Sequence, residues 1–566
     1  GWSSTIIDAL DTLWIINEKE EFARAVSFIE KINFKQSFRE DIPIFENIIR
    51  ILGGLIGGYD LSNEQILLNS AVEFADFLIE AFDTPNHMPL LYYRWQDEMP
   101  NRLASREACL AEVGSLTLEF SRLTQLTGDN KYYDAVARIT DFFQKSVDRF
   151  FMKGLVPNKL DISGCKLLTK EEIDNGAHLH NPNVIKSIFD KTYVYCLLQP
   201  GFFPRQAKQR YSLGGLADSY YEYLPKMYHL LRGDEKHAKV YKDLYLAALN
   251  DIKNYMLFKP KIPGGEKILF ASSIGVYKNE DKIIVEQELD MQHLTCFAGG
   301  MFGLGARVFN RSDDMEIAEK LTMGCVHLYE KLNIMPEVLR VNKILNKDDL
   351  YKEEDRLNQL TFVERSQSQL GGLRVITAGE LDDVKQKILS NFKTKNSKRE
   401  AGVIVDPIKD KGVHKEDPLY QIAIPWGNEL PPVEVLEDGK TVWTVDETHN
   451  QPRWINSMVP EYILRPEAIE SVFYMYRLTG DSKWRDYGWM MFENIVKYCK
   501  TPEGEFASLR DITVRGARPD NFKDSLESFW FSETLKYFYL LFDDISVLSL
   551  DDYVLNTEAH AFKLVN

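Results

Sequence analysis

The chain has 566 residues, of which 44% are hydrophobic and 12% aromatic, so it can bury a large core and is not a disordered protein. Its 85 acidic against 68 basic residues give a formal net charge of −17. This argues against a dedicated nucleic-acid binder, because neutralising phosphates requires a concentrated basic face. No run of about 18 uncharged apolar residues is present, so the sequence predicts no membrane-spanning segment.

Along the chain, apolar residues recur at helical spacing and stop at short polar turns, after which a second helical stretch begins. These turns are Leu61-Ser62-Asn63, Thr127-Gly128-Asp129, Arg232-Gly233-Asp234, Arg311-Ser312-Asp313 and Thr479-Gly480-Asp481. A helix pair cannot bury its own apolar face, so repeated pairs stack on their neighbours. Because the turns lie further apart than in the short solenoid repeats, we predict an all-α fold, an α/α barrel. An open solenoid is the alternative.

The interval between Ser312 and Gly480 is much longer than the others. Within it, residues 343–456 combine charge-rich and proline-rich stretches, with two β-branched segments at 403–405 and 441–445 that predict short strands. Removing this stretch restores the spacing of the repeats. We therefore predict a single barrel domain over residues 1–566 that carries a loop-like insertion at 343–456.

Several acidic residues lie within apolar helical stretches, where an unpartnered carboxylate is costly. Glu46 has Arg50 one turn further on, and Asp218 shares a helix face with Glu222. The other acids in such surroundings are Glu112, Glu119, Glu337, Glu467, Glu470, Glu527 and Glu533. Each alone is best explained as an ion-pair or capping residue. At the same end of successive helices, however, they would crowd one cavity and separate into a protonated acid and an ionised base, the pair that glycoside hydrolysis requires.

Other motifs favour structural explanations. The glycine-rich segments 53–58 and 299–305 do not follow a strand, so close helix packing explains them better than phosphate binding. His178 and His180 lie in a polar stretch without a third ligand nearby, which favours a surface loop over a metal site. The six cysteines contain no CxxC motif and are too sparse for a disulfide scaffold. One glycosylation sequon, Asn310-Arg311-Ser312, is a weak signal because such triplets arise by chance.

Seven blocks in order resemble glycoside hydrolase family 47, the class I α-1,2-mannosidases (mannosyl-oligosaccharide 1,2-α-mannosidases) that act on high-mannose N-glycans. The matching blocks are 5–13, 45–54, 218–223, 293–297, 465–471, 527–529 and 556–560. The resemblance implies an (α/α)7 barrel with a calcium ion at its base. It also implies an inverting, calcium-dependent hydrolase that removes terminal mannose.

The resemblance assigns roles to individual residues. Glu46 matches the acid that acts through a water, Glu467 matches the general base, and Asp218 and Glu337 match the two other catalytic acids. Thr557 matches the direct calcium ligand, and Cys296 and Cys325 match a disulfide that implies an oxidising lumen. The positions that match the sugar subsite or the residues ordering its waters are Arg50, Glu112, Glu222, His293, Arg465, Glu470, Phe529 and Glu533.

Leu216 stands where the endoplasmic reticulum branch of the family carries Arg and the Golgi branch carries Leu, which favours broad, Golgi-like trimming. The resemblance also implies a monomer in the lumen of the endoplasmic reticulum or Golgi, with glycoprotein N-glycans and no nucleic acid as partners. The family's first helix and a membrane anchor are expected upstream of Gly1. The large insertion leaves one alternative open, a glycan-recognising quality-control factor of the same fold with little turnover.

Overall fold

The computed structural model describes residues 2–96, 102–189, 192–344, 452, 454–514 and 516–565. It also describes the backbone of four short strands, Val363–Arg365, Leu373–Val375, Val433–Val435 and Thr441–Trp443. The chain forms two compact units, the first comprising Gly1–Lys343 with Thr448–Asn566 and the second Ile344–Glu447. In the second unit the four strands pair as two antiparallel hairpins. The strand predicted at 441–445 is present at 441–443, and the one predicted at 403–405 lies outside the described residues.

Within the described part of the first unit, seven inner helical segments surround a common axis. Each inner helix packs against the next one along the chain, and the first contacts the seventh, which closes the ring. In order, the segments are Ser4–Asp8 with Leu10–Ile15, Ile44–Glu46 with Asn47–Leu52 and Gly53–Ser62, Leu110–Gly114 with Thr117–Thr127, Asp218–Leu230, Leu294–Phe297 with Ala298–Val308, Glu467–Thr479, and Trp530–Thr534 with Leu535–Phe542. This arrangement confirms the predicted α/α barrel and excludes the open solenoid.

Outer helices cover this ring, one after each of the first six inner helices. They are Lys19–Ile29, Gln65–Ile79, Asn130–Ser146, Lys239–Asp251 with Ile252–Met256, Ser312–Leu332 and Lys483–Cys499. Asn130–Ser146 shows why they pack on one side: Tyr132, Val136, Ile139 and Phe143 recur at helical spacing and are all buried. The side chain of Asp129 caps this helix by accepting a hydrogen bond from the Lys131 N–H.

The short turns predicted from the sequence connect inner helices to outer ones. Asn63, Gly128 and Gly480 each follow an inner helix in the left-handed region, with φ of 59°, 74° and 70°, the conformation with which helices commonly end. All of these turns lie at the carboxyl ends of the inner helices and so form one rim of the barrel. The long connections from outer to inner helices form the opposite rim.

The long connections carry short helices and antiparallel strands. The helical pieces are Glu80–Phe82, Val147–Arg149, Lys170–Asp174, Ala177–His180, Gly265–Lys267 and Pro519–Asn521. Two-stranded pairs are Asp41–Pro43 with Tyr92–Arg94, Leu257–Phe258 with Phe270–Ala271, and Ser508–Leu509 with Phe522–Lys523. Three-stranded sheets join Ala108–Cys109, Lys159–Asp161 and Phe203–Pro204; Cys165–Leu167, Thr192–Leu198 and Val184–Phe189; Lys282–Gln287, Ile274–Asn279 and Gln209–Tyr211; and Asp290–Gln292, Val338–Val341 and Ile455–Val459.

Two disulfides stabilise the first unit. Cys296–Cys325 joins the fifth inner helix to its outer partner, and Cys165–Cys196, which sequence reasoning did not identify, links two strands of one sheet. Cys109 and Cys499 are free thiols. Among the helices of the described residues, none is both long and apolar enough to cross a membrane.

A carboxyl-terminal hairpin closes one end of the barrel axis. Its strands, Tyr553–Leu555 and Ala561–Lys563, are antiparallel and joined by residues 556–560. The hairpin packs against the second inner helix. Gly53 on that helix makes the approach possible, because a Cβ atom there would lie 2.7 Å from the Asn556 amide nitrogen and 2.9 Å from the His560 ring. A Cβ atom on the neighbouring Gly54 would lie 2.6 Å from the Ile7 carbonyl of the first inner helix, which confirms the close helix packing predicted for segment 53–58.

Candidate active site

Most of the predicted site residues lie at the amino-terminal ends of the inner helices. Glu46, Glu112, Asp218 and Glu467 fall in the first turns of the second, third, fourth and sixth inner helices, and His293 immediately precedes the fifth. Since the helices run in the same direction around the ring, these side chains are placed at one end of the barrel. The positive end of each helix dipole favours carboxylates there.

Glu467 contacts a histidine and an arginine at this end of the barrel. Its Oε2 lies 2.9 Å from Nδ1 of His293, whose Nε2 lies 3.1 Å from the Tyr329 hydroxyl. The Arg465 guanidinium lies 3.7 Å from Oε1 of Glu467. Burial would raise the pKa of Glu467, but the hydrogen bond to His293 and the positive charge of Arg465 outweigh burial and hold this pKa below its usual value. Glu467 therefore stays ionised at neutral pH.

Arg465 also holds Glu337. Its Nε lies 2.9 and 2.7 Å from the two carboxylate oxygens of Glu337. Glu337 comes from the connection before strand Val338–Val341, and its backbone N–H donates to the Glu461 carbonyl at 2.9 Å. One arginine thus fixes two of the four predicted catalytic carboxylates.

Arg50 organises the carboxylates on the opposite side of the ring. Its guanidinium lies 2.8 Å from Glu46, 2.8 Å from Glu558 and 3.6 Å from Asp8. The Phe529 ring lies between the two arginines of the site, with its centroid 5.9 Å from each guanidinium carbon. Glu46 remains about half exposed, so its carboxylate is accessible from the cavity.

Asp218 has the opposite electrostatic character to Glu467. Burial, followed by the negative charges of Glu467 and Glu222, raises the pKa of Asp218 to about 7, although the Ser219 N–H donates to this carboxyl at 3.1 Å. Near neutral pH the cavity therefore holds one ionised and one partly protonated carboxyl group. This is the pairing that acid–base catalysis uses.

Deeper in the barrel, buried carboxyl groups surround Lys226. Its ammonium contacts Glu222 and lies 3.6 Å from Glu470. Burial and the charge of Glu222 raise the pKa of Glu470 to about 8. Burial and the charge of Glu558 raise the pKa of Glu533 well above its usual range. The base of the cavity thus contains more carboxyl groups than its basic side chains neutralise.

Thr557 lies beside this acidic base, at the turn of the carboxyl-terminal hairpin. Its hydroxyl donates to Glu222 at 2.8 Å and its N–H donates to the Tyr223 hydroxyl at 3.3 Å. Thr557 is partly exposed, whereas the flanking residues Asn556 and Glu558 are buried. The threonine is therefore the part of the turn that a ligand in the cavity can reach.

Glu112 is placed at the edge of the site. Its Oε2 accepts a hydrogen bond from the Cys109 N–H at 2.9 Å, which caps the third inner helix. The neighbouring Ala111 N–H donates to the carbonyl of Leu216 at 2.9 Å. Leu216 is 41% exposed and has a φ of 79°. These contacts place Leu216 and Glu112 together at the mouth of the cavity.

Comparison with known proteins identifies the group to which the chain is related. The model of glycosyl hydrolase family 47 matches residues 1–564. The chain belongs to glycosyl hydrolase family 47. It is accordingly a glycoside hydrolase by family, and the predicted family membership is confirmed.

Relatives across the family are about equally distant. The chain is 28% identical to the Saccharomyces cerevisiae protein named "Putative endoplasmic reticulum mannosidase MNL2", over 99% of this chain and 77% of that protein. It is 28% identical to a Mus musculus endoplasmic reticulum mannosyl-oligosaccharide 1,2-alpha-mannosidase, over 99% of this chain and 62% of that protein. The structure of a Trichoderma reesei alpha-1,2-mannosidase, 24% identical, matches 100% of this chain and 91% of its own with a TM-score of 0.64, which supports the (α/α)7 fold.

Family 47 membership suggests a metal ion, and the residues around Thr557 fit a hard cation. Within the residues that the structure describes, no group of three or more histidine, cysteine, aspartate and glutamate side chains could by itself hold a metal ion. The expected protein ligands are instead the hydroxyl and carbonyl oxygens of one threonine. The side chains that contact Thr557 do so through a carboxylate oxygen of Glu222 and the hydroxyl oxygen of Tyr223, and oxygen ligands suit a hard cation such as calcium. The surplus of buried carboxyl groups also favours a divalent positive charge.

Several residues that shape this family 47 site were not predicted to belong to it. Asn556 donates to Glu119 at 2.8 Å, and Tyr223 donates to the same oxygen at 2.7 Å. Glu119 was named only as an acid in an apolar stretch, and the side chains that were missed are Asp8, Asp11, Tyr223, Lys226, Lys536, Asn556, Glu558 and His560. Six of them fall inside the blocks 5–13, 218–223 and 556–560 that carry the family resemblance, which was the available signal. Lys226 and Lys536 lie outside every block and could be found only from the structure.

Proposed function

We propose that this chain is a calcium-dependent exo-α-1,2-mannosidase that removes terminal mannose from high-mannose N-glycans with inversion. The observation that carries the proposal is Glu467, a buried carboxylate kept ionised by His293 and Arg465 in a cavity that also holds a carboxyl group with a pKa of about 7. An inverting hydrolase needs such a base to activate water and a separate acid to protonate the leaving oxygen. The names of the relatives supply the substrate class.

In this mechanism Glu467 accepts a proton from the attacking water, and His293 holds the Glu467 carboxylate in place. Glu46 delivers a proton to the leaving oxygen through a water, and Asp218, with its raised pKa, is the group that retains a proton near neutral pH. Arg465 fixes Glu337 beside the reacting centre. Phe529 offers an apolar ring surface to the sugar between the two arginines.

Calcium belongs to the sugar-binding part of the proposal. Thr557 would hold the ion through its hydroxyl and carbonyl oxygens, and the carboxylates of Glu222, Glu470, Glu533 and Glu558 would order its waters. When bound, the ion supplies positive charge that orients sugar hydroxyls.

The compartment and the breadth of trimming are further parts of the proposal. Two disulfides support an oxidising lumen of the secretory pathway, and we expect a monomer that the complete protein anchors to the membrane. Leu216 at the mouth offers no hydrogen bonds to a glycan branch, whereas an arginine would offer several. We therefore expect progressive, Golgi-like removal of several mannose residues.

The test is release of mannose from a nine-mannose N-glycan, with calcium and with chelator, and with the products separated by isomer. Release that requires calcium and continues through several isomers is expected. One dominant product would refute the Leu216 argument. Glycan binding without release would instead favour a recognition factor of the same fold.

A further inference from the structure

The Asn310-Arg311-Ser312 sequon lies in the turn between the fifth inner helix, Ala298–Val308, and its outer partner, Ser312–Leu332. All three residues of the sequon are exposed. The Arg311 guanidinium pairs with Asp314, in the first turn of the outer helix, at 2.5 Å. The side chain between the asparagine and the serine is therefore held away from Asn310.

The backbone explains why an asparagine is tolerated here but does not require the serine. Asn310 has a φ of 53°, and the Arg311 N–H donates to the Ala306 carbonyl at 2.8 Å, which closes the end of the inner helix. Glycine and asparagine are the residues that adopt this conformation most readily, as at Gly128 and Asn63. The outer helix that begins at Ser312 has no side-chain capping hydrogen bond. The geometry of the turn therefore gives no reason for a hydroxyl side chain at Ser312.

We propose that Asn310 carries an N-linked glycan. In the transfer, the amide nitrogen of Asn310 bonds to the anomeric carbon of a lipid-diphosphate-linked oligosaccharide and loses a proton, and the lipid diphosphate departs. Attachment occurs on the chain as it enters the lumen, so the folded surface must accommodate the glycan. The exposed turn does so without displacing any core residue. The proposal rests on the luminal location that is part of the proposed function.

The position of the turn also determines which molecule can trim this glycan. Asn310 lies on the rim at the carboxyl ends of the inner helices, whereas Glu467 and His293 lie at their amino-terminal ends. The fifth inner helix alone, with 11 residues, separates the two ends by about 16 Å. A glycan on Asn310 projects away from the mouth of its own cavity. If the proposed mannosidase activity is correct, this glycan is trimmed by a second molecule and not by its own site.

The first experiment is expression of the full-length protein through a eukaryotic secretory pathway, followed by enzymatic deglycosylation and mass spectrometry of the peptide that contains residue 310. We expect conversion of Asn310 to aspartate on deglycosylation and a single shift in gel mobility. Asn310→Gly preserves the left-handed turn and should abolish the shift, as should Ser312→Ala, whereas Ser312→Thr should retain it. Asn63→Gly is the matched control, because it changes a left-handed asparagine outside any sequon and should leave the shift unchanged.

An unmodified Asn310 in wild-type protein whose Cys165–Cys196 and Cys296–Cys325 bonds are intact would overturn the proposal. An unmodified Asn310 in a chain whose four disulfide cysteines are free thiols would also overturn the proposal. Such a chain did not enter an oxidising lumen, and the proposal depends on that location. Failure of the proposed function is a separate result. A glycan on Asn310 together with no release of mannose would refute the mannosidase activity but not the glycosylation of Asn310.

A dilution series tests the inference that a second molecule trims the Asn310 glycan. Protein made with a mannosidase inhibitor and then freed of it should lose mannose from its Asn310 glycan at a rate per molecule that rises in proportion to protein concentration. A tenfold dilution should slow this rate about tenfold. A rate per molecule that is independent of concentration would show trimming within one molecule and overturn the inference from position.

Discussion

Glu467 is the residue whose environment most clearly separates a catalytic role from a structural one. A buried carboxylate that serves only stability is usually matched by one cation. Glu467 instead shares Arg465 with Glu337 and contacts a histidine that is itself fully buried. This arrangement keeps the carboxylate charged. Its Oε2 lies 2.9 Å from His293, whereas its Oε1 lies 3.7 Å from the Arg465 guanidinium and is less tightly held.

We predict that Glu467→Gln lowers kcat at least a hundredfold, because a neutral amide cannot accept the proton of the attacking water. Glycan affinity should change less than about threefold, since glutamine has nearly the same shape. The measurements are mannose release and calorimetric binding of a nine-mannose glycan. Glu319→Gln, which removes a glutamate paired with Lys483 on the barrel exterior, is the control and should leave both values unchanged. A Glu467→Gln enzyme with more than a tenth of wild-type kcat would refute the role as base.

At the residue scale, the sequence indicated several candidate acids but few of the contacts that hold them. Glu46 and Arg50 could be paired because they lie one helical turn apart, and the structure contains that pair. His293 and Glu467 are far apart in sequence, so their contact depends on the closure of the barrel and no local pattern reveals it. Lys226 was missed for a different reason. A lysine within an apolar stretch is expected to be exposed, and only the packing of the barrel shows that Lys226 is buried.

The loop 556–560 is the element on which the proposed calcium site depends. Other elements hold it from both sides: Glu119 accepts hydrogen bonds from Tyr223 and Asn556, and the ammonium of Lys536 donates to the Ala559 carbonyl at 2.7 Å. The Tyr223 hydroxyl also accepts the Thr557 N–H. The backbone of Thr557 is therefore held by Tyr223, in addition to the contact of its hydroxyl with Glu222.

We predict that Tyr223→Phe weakens calcium binding about tenfold, which is typical for loss of a side chain that orients a metal ligand. The measurement is calcium titration by calorimetry on the chelator-treated protein. Tyr221→Phe is the matched control: Tyr221 is the second residue before Tyr223 on the same helix, is equally buried, and its hydroxyl contacts the Val156 backbone instead. If both variants lose calcium affinity to the same extent, the effect is general loosening of the helix and the positioning role is wrong.

Residues 344–447 are inserted in the chain between two strands of the barrel unit that pair with each other. Val338–Val341 pairs with Ile455–Val459, and Asn456 donates to the Asn342 side chain at 3.2 Å. The two points at which the chain leaves and re-enters the barrel are thus neighbours in one sheet. We predict that replacing residues 344–447 by a short glycine-serine linker leaves the barrel folded and mannose release from free glycan within about threefold of wild type. Loss of the cooperative thermal transition would show that these residues contribute to the barrel.

At the element scale, repeated local patterns were predictable and irregular connections were not. The helix pairs and their turns follow from apolar spacing and from glycine or asparagine at the helix ends, both of which act over a few residues. The connection between Ser146 and Asp218 has no such periodicity. Its sheets and the Cys165–Cys196 bond depend on pairing between distant segments, which composition and spacing do not specify.

At the scale of the whole molecule, the main electrostatic feature is that the barrel interior contains more carboxyl groups than its basic side chains neutralise. Burial raises the pKa of Asp218 and Glu119 to about 7 and that of Glu470 and Glu558 to about 8. These groups lose their protons at much lower pH in the unfolded chain, since their usual values are 3.8 and 4.5. The folded state therefore binds more protons than the unfolded state between about pH 4 and pH 8.

It follows that the calcium-free protein should become less stable as the pH rises through this window. His560 acts in the same direction: burial lowers its pKa, but the charge of Asp11 outweighs burial and raises it to about 9, so the stability it contributes is also lost as the pH rises. Carboxylates with a lowered pKa, such as Asp11 and Glu467, lose their contribution only below about pH 4. We predict that the Tm in chelator falls steadily from pH 5.5 to pH 8.

Calcium should oppose this trend, because its positive charge beside Thr557 favours the ionised form of the surrounding carboxyl groups. A cation that binds only the folded state stabilises it by a free energy that grows with the logarithm of its affinity, and that affinity rises as the carboxyl groups ionise. The increase in Tm on adding calcium should therefore be several degrees larger at pH 8 than at pH 6, as measured by differential scanning calorimetry at fixed ionic strength. Magnesium at the same concentration is the control for simple charge screening and should give a smaller increase. An equal calcium effect at both pH values would mean that the ion does not bind among the buried acids, and that the excess negative charge at the base of the barrel has another cause.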